Sequence, residues 1–180
     1  TAERFLSRIE AEQIEQLLYP RFDEDAKKRA RLLAKGLNAS PGAAVGQVYF
    51  DADTAERMVK EEGKAVILVR PETNPDDVHG MLAAKGILTQ HGGATSHAAV
   101  VARQLGKPCV AGCEDIRIDL EKRQFTANDV VVNEGDVISV DGAEGKVFLD
   151  KIAMLTPNLE DQHELMIILG WADEIRRMQV

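Results

Sequence analysis

The chain has 180 residues, a hydrophobic content of 44% and a formal net charge of −8. This composition predicts a folded domain with a sizeable core, and the acidic balance, with no basic stripe, excludes nucleic acid and anionic membranes as expected partners. No apolar run approaches the roughly 18–20 residues of a membrane span, and the charged start does not resemble a signal peptide. We therefore expect a cytoplasmic protein, and the missing initial Met predicts a processed chain or an excised domain.

Residues 1–37 predict a helical linker. Apolar residues recur at near-helical spacing between Phe5 and Leu18, Pro20 divides the segment into two helices, and Gly36 is a natural end for the second. Such an arm has two interpretations. It is either a solvated helix pair packed beside the domain or a linker whose flexing moves the domain between distant sites.

Residues 38–155 predict a compact mixed α/β domain, and residues 156–180 predict a second helical linker. Val66–Val69 is apolar throughout, as expected for a strand that is covered on both faces. Gly106 is a natural end for the helix that precedes it. The predicted strands are 44–50, 66–69, 87–89, 109–111, two within 130–142, and 145–149, and the predicted helices start near Asp53, at Pro75 and at Thr95.

A glycine pair, two hydroxyl residues and a histidine form the stretch that predicts chemistry. Gly92 and Gly93 allow backbone angles closed to other residues and let a substrate approach, and Thr95 or Ser96 can cap the helix that follows. His97 then lies in the first helical turn, where free N–H groups and the helix dipole favour an anion by about 0.3–1 kcal/mol. The same field disfavours an imidazolium, so His97 is expected to be a neutral nucleophile that carries a phosphate.

Other histidines and the cysteines predict no second site. We expect His79 and His91 to be ordinary exposed residues and His163 to be structural. A metal site built from His79, His91 and His97 is the alternative, although no carboxylate or cysteine spacing supports it, and a non-enzymatic binding module would follow from it. The cysteines, Cys109 and Cys113, predict buried reduced thiols because the chain lacks the further ligands of a zinc site.

Residues 92–103 resemble the phosphohistidine signature of the phosphoenolpyruvate (PEP)-utilising enzymes. Ser40–Gly46 resembles the opening of the family's mobile domain. Two further stretches, 69–81 and 171–177, are similar to the pyruvate phosphate dikinases within this family, and Ser96 also fits that branch. The PEP synthases and the first enzyme of the bacterial sugar phosphotransferase system share the signature and are the alternatives.

The resemblance implies a swivelling β/β/α phosphohistidine domain. It implies that His97 shuttles a phosphoryl group between an ATP-binding domain and a PEP/pyruvate barrel domain of the same polypeptide. The full reaction would convert ATP, phosphate and pyruvate reversibly into AMP, pyrophosphate and PEP, so the chain alone should not turn over. Mg²⁺ would be bound by the other domains, and the parent enzyme would be a homodimer through the barrel, located in the cytoplasm or, in a plant, in the plastid.

Thr95 has two interpretations. In the family this threonine is a regulatory phosphorylation site, which implies a regulatory kinase or phosphatase as a partner. A phosphate two residues from His97 would repel a second phosphate. The other interpretation is that Thr95 caps the helix.

Overall fold

A computed structural model gives the fold for residues 4, 6–10, 13–14, 17–157 and 163–175. The strands are β1 (Arg21–Phe22), β2 (Leu32–Lys35), β3 (Leu37–Ser40), β4 (Ala43–Tyr49), β5 (Val66–Arg70), β6 (Gly86–Thr89), β7 (Cys109–Ala111), β8 (Ile116–Asp119), β9 (Gln124–Ala127), β10 (Val130–Asn133), β11 (Val137–Asp141), β12 (Lys146–Leu149) and β13 (Met154–Leu155). The helices are α1 (Glu24–Arg29), α2 (Ala52–Glu62), α3 (Val78–Ala83), α4 (His97–Leu105) and α5 (His163–Ile175), with a 3₁₀ turn (Pro75–Asp77) before α3.

The main sheet has eight strands in the order β2-β12-β11-β4-β5-β6-β7-β3. The four strands β4 to β7 are parallel, and the helices α2, α3 and α4 make the crossovers between them. Arg70 at the end of β5 pairs in register with Thr89 at the end of β6. The loops that follow β5 and β6 therefore start side by side at one edge of the sheet.

The core has three layers, with the main sheet in the middle. Along β5, Ile67 and Val69 join a cluster with Phe125 of the separate sheet β10-β9-β8, whereas Leu68 joins a cluster with Met81 of α3. Alternate side chains of a strand point to opposite faces, so one face of the main sheet packs on the small sheet and the other on the helices. This is the β/β/α architecture that the sequence predicted, and the apolar β5 is covered on both faces as expected. Swivelling stays a prediction.

The helix predicted up to Gly36 is wrong at its end. Between Pro20 and Gly36, where every residue is described, the helix covers only Glu24–Arg29, and Leu32–Lys35 pairs with β12 at the edge of the main sheet. Leu33 and Ala34 are buried in the core, so tertiary pairing outweighs the helical propensity of a segment rich in leucine, alanine and lysine. The strands β3, β8 and β9 were also not predicted.

The predicted helical arms are described only in part. The C-terminal helix is confirmed over His163–Ile175, while residues 158–162 and 176–180 lie outside the described residues, as does Phe5. Close to both ends of the core, β1 and β13 pair antiparallel. None of the helices among the described residues is long and apolar enough to cross a membrane.

The two cysteines are buried free thiols, as predicted. Burial raises the pKa of Cys109 to about 12, and burial together with Asp115 raises the pKa of Cys113 to about 12. Since the thiolate is the reactive form, both side chains are chemically inert at neutral pH.

Candidate functional site

His97 is the first residue of α4 and is half-buried. Ser96 is the N-cap, and its Oγ accepts a hydrogen bond from the N–H of Ala99 at 3.4 Å. The prediction that His97 lies in the first helical turn is confirmed. A phosphate bound to the ring would meet the positive end of the helix dipole.

Thr73 holds one nitrogen of the His97 ring. Its Oγ1 lies 2.9 Å from Nδ1 of His97, and the threonine is only 7% exposed. Among the described residues, Nε2 of His97 has no hydrogen-bond partner. The ring is thus oriented through one nitrogen and open at the other. Thr73 is a site residue that the sequence analysis did not identify.

Of the two glycines that precede the helix, only Gly92 is conformationally required. Its φ is +112°, and a Cβ there would lie 2.9 Å from the side chain of Ser96. A Cβ on Gly93 would meet no atom within 4 Å. The N–H of Ser96 donates to the carbonyl oxygen of Gly93 at 3.0 Å, which closes the turn into α4. The predicted role of the glycine pair therefore belongs chiefly to Gly92.

Arg103 anchors the same loop from the last turn of α4. Its Nη2 donates to the carbonyl oxygen of Ala94 at 2.7 Å, and its Nη1 donates to the carbonyl oxygen of Ala39 at 2.9 Å. One guanidinium thus ties the loop before His97 to strand β3. Arg103 ends the stretch 92–103 that carries the resemblance, but the sequence alone assigned it no role.

Thr95 is exposed and does not cap the helix. Ser96 occupies the cap, because its backbone is extended while His97 is already helical. The capping interpretation of Thr95 is therefore wrong.

The remaining histidines do not gather around His97. The Nε2 atom of His79 lies 2.7 Å from an oxygen of Asp53, so this residue is paired rather than merely exposed. His91 is exposed, and its backbone N–H donates to the carbonyl oxygen of Pro71. Within the described part of the chain, no three His, Cys, Asp or Glu side chains converge as metal ligands.

Residues 62–145 match the family model described as "PEP-utilising enzyme, mobile domain", a range that includes Thr73, His97 and Arg103. Residues 62–145 thus correspond to the mobile domain of the PEP-utilising enzyme family. The match covers the β5–β11 portion of the fold and both loops of the site. The resemblance drawn from the sequence is thereby confirmed.

Curated relatives of this mobile domain are pyruvate, phosphate dikinases. The chain is 51% identical over 172 residues to chloroplastic pyruvate, phosphate dikinase 1 of Arabidopsis thaliana, which covers 96% of this chain and 18% of that protein. It is 48% identical over 178 residues to pyruvate, phosphate dikinase of Rhizobium meliloti, which covers 99% of this chain and 19% of the relative. The chain therefore spans about a fifth of the length of the relatives that it matches.

Solved structures give more distant matches to this mobile domain. A solution structure of Enzyme I is 24% identical with a TM-score of 0.34 and covers 61% of this chain and 37% of its own. A second, described as the N-terminal domain of Enzyme 1 - Nitrogen, is 23% identical with a TM-score of 0.33 and covers 59% of this chain and 37% of its own. Since these TM-scores are low, the fold assignment rests on the layers of this chain itself.

Proposed function

We propose that the chain is the phosphoryl-carrier domain of a pyruvate, phosphate dikinase, with His97 as the carrier. The observation that supports this most strongly is the ring of His97, held at Nδ1 by Thr73 and open at Nε2, at the start of α4. Relatives that are about half identical over nearly the whole chain carry the dikinase name. The reaction is proposed to convert ATP, phosphate and pyruvate into AMP, pyrophosphate and PEP, and to be reversible.

The hydrogen bond to Thr73 suggests which nitrogen reacts. In the tautomer with hydrogen on Nδ1, the N–H donates to Oγ1 of Thr73, and the lone pair of Nε2 is free to attack phosphorus. The Nε2–P bond forms as the bond from phosphorus to the leaving oxygen breaks, and the proton on Nδ1 stays in place. In the second transfer, the ring then departs as neutral imidazole rather than as an imidazolate, which makes it a better leaving group.

Two local features support accepting a dianionic group at this position. The N-terminal end of α4 carries a partial positive charge, and the loop leaves open space at Gly93, where an added Cβ would meet no atom within 4 Å. The loop before His97 is exposed, which fits a group that must reach sites on other domains. The Mg²⁺ of the reaction is proposed to be bound by those other domains.

The partners proposed for the carrier are an ATP-binding domain and a PEP/pyruvate barrel domain of one polypeptide, with dimerisation through the barrel. We propose residues 38–155 as the carrier unit, extended to include β2 because that strand pairs within the main sheet. Exposed Thr95 is accessible to a regulatory kinase or phosphatase. Bacterial and chloroplastic relatives favour a cytoplasmic location, or a plastid if the source is a plant.

The test is transfer from labelled PEP to the chain in the presence of a barrel domain supplied from a relative. We expect an adduct that is acid-labile and alkali-stable, as a phosphoramidate is, and that disappears in His97→Ala. His91→Ala is the matched control and should keep the label. A label that survives in His97→Ala would overturn the proposal. The chain alone, given ATP and pyruvate, should show no turnover.

A further inference from the structure

Arg70, the last residue of β5, lies beside the loop that carries Thr73. Its Nη1 donates to the carbonyl oxygen of Phe50 at 2.9 Å, and its Nε lies 3.6 Å from Oδ2 of Asp77. Within the described part of the chain, this Nε is the one buried side-chain nitrogen or oxygen without a hydrogen-bond partner. The guanidinium is therefore fixed at one end and faces Asp77 with the other.

Asp77 organises the loop that presents Thr73. The carboxylate is only 7% exposed, and its Oδ2 accepts a hydrogen bond from the N–H of Asn74 at 3.1 Å. Asn74 in turn caps the 3₁₀ turn, because its Oδ1 accepts a hydrogen bond from the N–H of Asp76 at 2.9 Å. Because Asn74 follows Thr73 directly, the position of the Thr73 hydroxyl depends on this capped turn.

The same segment also supports the loop that leads to His97. The carbonyl oxygen of Arg70 accepts from the N–H of Gln90 at 3.2 Å, and that of Pro71 accepts from the N–H of His91 at 2.8 Å. The end of β5 thus holds the loop toward His97 by two hydrogen bonds and continues directly into the loop that carries Thr73. A shift of residues 70–71 would therefore move both loops and change the distance from Oγ1 of Thr73 to Nδ1 of His97.

We infer that Arg70 is a positioning residue for His97: through Asp77 it keeps Thr73 on Nδ1, and so keeps Nε2 as the attacking nitrogen. A buried carboxylate that loses its cationic neighbour is destabilised, so the turn around Asp77 would rearrange without the guanidinium. The Thr73 hydroxyl would then leave Nδ1, and the ring would sample both tautomers. This inference rests on the proposed function of His97 and adds the residue that controls its orientation.

The experiment follows the His97 ring nitrogens by long-range ¹H–¹⁵N correlation in the full 180-residue chain at neutral pH. In the native sequence we expect the Nδ1–H tautomer to predominate. In Arg70→Met the Nε2–H tautomer should become the major form, and the rate of labelling from PEP should fall roughly tenfold. Arg70→Lys should recover part of both, since lysine restores the charge but not the forked geometry.

Two further variants keep the inference testable. Asp77→Asn is nearly isosteric but removes the ion pair with Arg70 and weakens the acceptor for the N–H of Asn74. The turn should therefore loosen, and the tautomers should shift in the same direction even if Arg70→Met fails to fold. Arg57→Met, an exposed arginine on α2, is the matched control and should leave the ring unchanged. Unchanged tautomers in the folded Arg70 and Asp77 variants would overturn the inference. Because the tautomers are measured without phosphorylation, a native chain that cannot be labelled would contradict the proposed function alone.

Discussion

The loops after β5 and β6 begin side by side at one edge of the sheet, yet they are built in opposite ways. The first, residues 71–77, buries Thr73 and Asp77 and is held by side chains that bond to its own backbone. The second, residues 90–96, is exposed from residue 91 to 95, and its anchors come from outside the loop, namely the carbonyl oxygen of Pro71 and the guanidinium of Arg103. The reactive ring of His97 therefore directly follows the exposed loop 90–96, the open loop, while its orientation comes from loop 71–77 with its buried side chains, the closed loop.

The closed loop should matter most for the rate. In Thr73→Val a methyl group replaces the hydroxyl that holds Nδ1, so the rate of labelling of His97 from PEP should fall by about 10–100-fold, equivalent to about 1–3 kcal/mol. Thr73→Ser keeps the hydroxyl and should retain most of the rate. Rapid-quench labelling measures both. Equal rates for the valine variant and the native chain would mean that the closed loop does not orient the ring.

The tether of the open loop comes next. Arg103→Met removes two charge-assisted hydrogen bonds, to the carbonyl oxygens of Ala94 and Ala39. Since the side chain is exposed, we expect a loss of roughly 1–2 kcal/mol in the free energy of unfolding. Urea denaturation measures it, with Gln104→Met as the neighbouring exposed control. A variant as stable as the control would show that the open loop needs no anchor.

The two glycines give a smaller and sharper contrast inside the open loop. Gly92→Ala places a side chain at a φ of +112° and against Ser96, so it should cost about 1–2 kcal/mol in the free energy of unfolding. Gly93→Ala enters open space and should change that free energy by less than about 0.5 kcal/mol. Thermal or urea unfolding of the pair decides the matter. Equal losses would contradict the division of roles.

The smallest effect on stability at neutral pH concerns the thiols of Cys109 in β7 and of Cys113 in the loop after it. The pKa of Cys109 and of Cys113 is raised from 9.0 to about 12 in the folded chain. Unfolded thiols therefore ionise first, so their contribution to stability is complete below pH 9 and is lost as the pH rises toward 12. The Cys109→Ala/Cys113→Ala variant should lose less stability between pH 8 and 11 than the native chain does. Parallel curves would show that the thiols ionise alike in both states.

The open loop was predictable because its signals are local. Gly92, Ser96 and His97 lie within six residues, and a glycine turn followed by a helix cap has a recognisable pattern. Thr73 has no such pattern, since it is 24 residues from His97 and reaches the ring only because β5 and β6 are neighbours in the sheet. The role of Arg103 could not be predicted either, because its partners are backbone carbonyl groups, which leave no pattern of residue types in the sequence.

The same distinction explains what the sequence predicted of the fold. The buried strand Val66–Arg70 was predicted because burial on both faces leaves a continuous apolar run. Leu32–Lys35 was mistaken for helix because an edge strand made of good helix formers is decided by its partner, β12, and not by its own composition. Local patterns thus predicted the parallel strands of the main sheet together with β11 and β12, while the two edge strands, β2 and β3, depended on distant partners.

The pairing of β1 with β13 has a mechanical consequence. Arg21 lies opposite Leu155, and the N–H of Asp23 donates to the carbonyl oxygen of Ala153 at 2.9 Å, so the strands entering and leaving the core run as one ribbon. Paired strands lie about 4.8 Å apart, so the two chain segments that flank the core lie side by side in this ribbon. The ribbon is also fastened to the main sheet, because Phe22 is buried with Ala43 and Phe148 and the N–H of Ala43 donates to the carbonyl oxygen of Pro20 at 2.9 Å. A pull on either end of the core would therefore be shared between two paired strands.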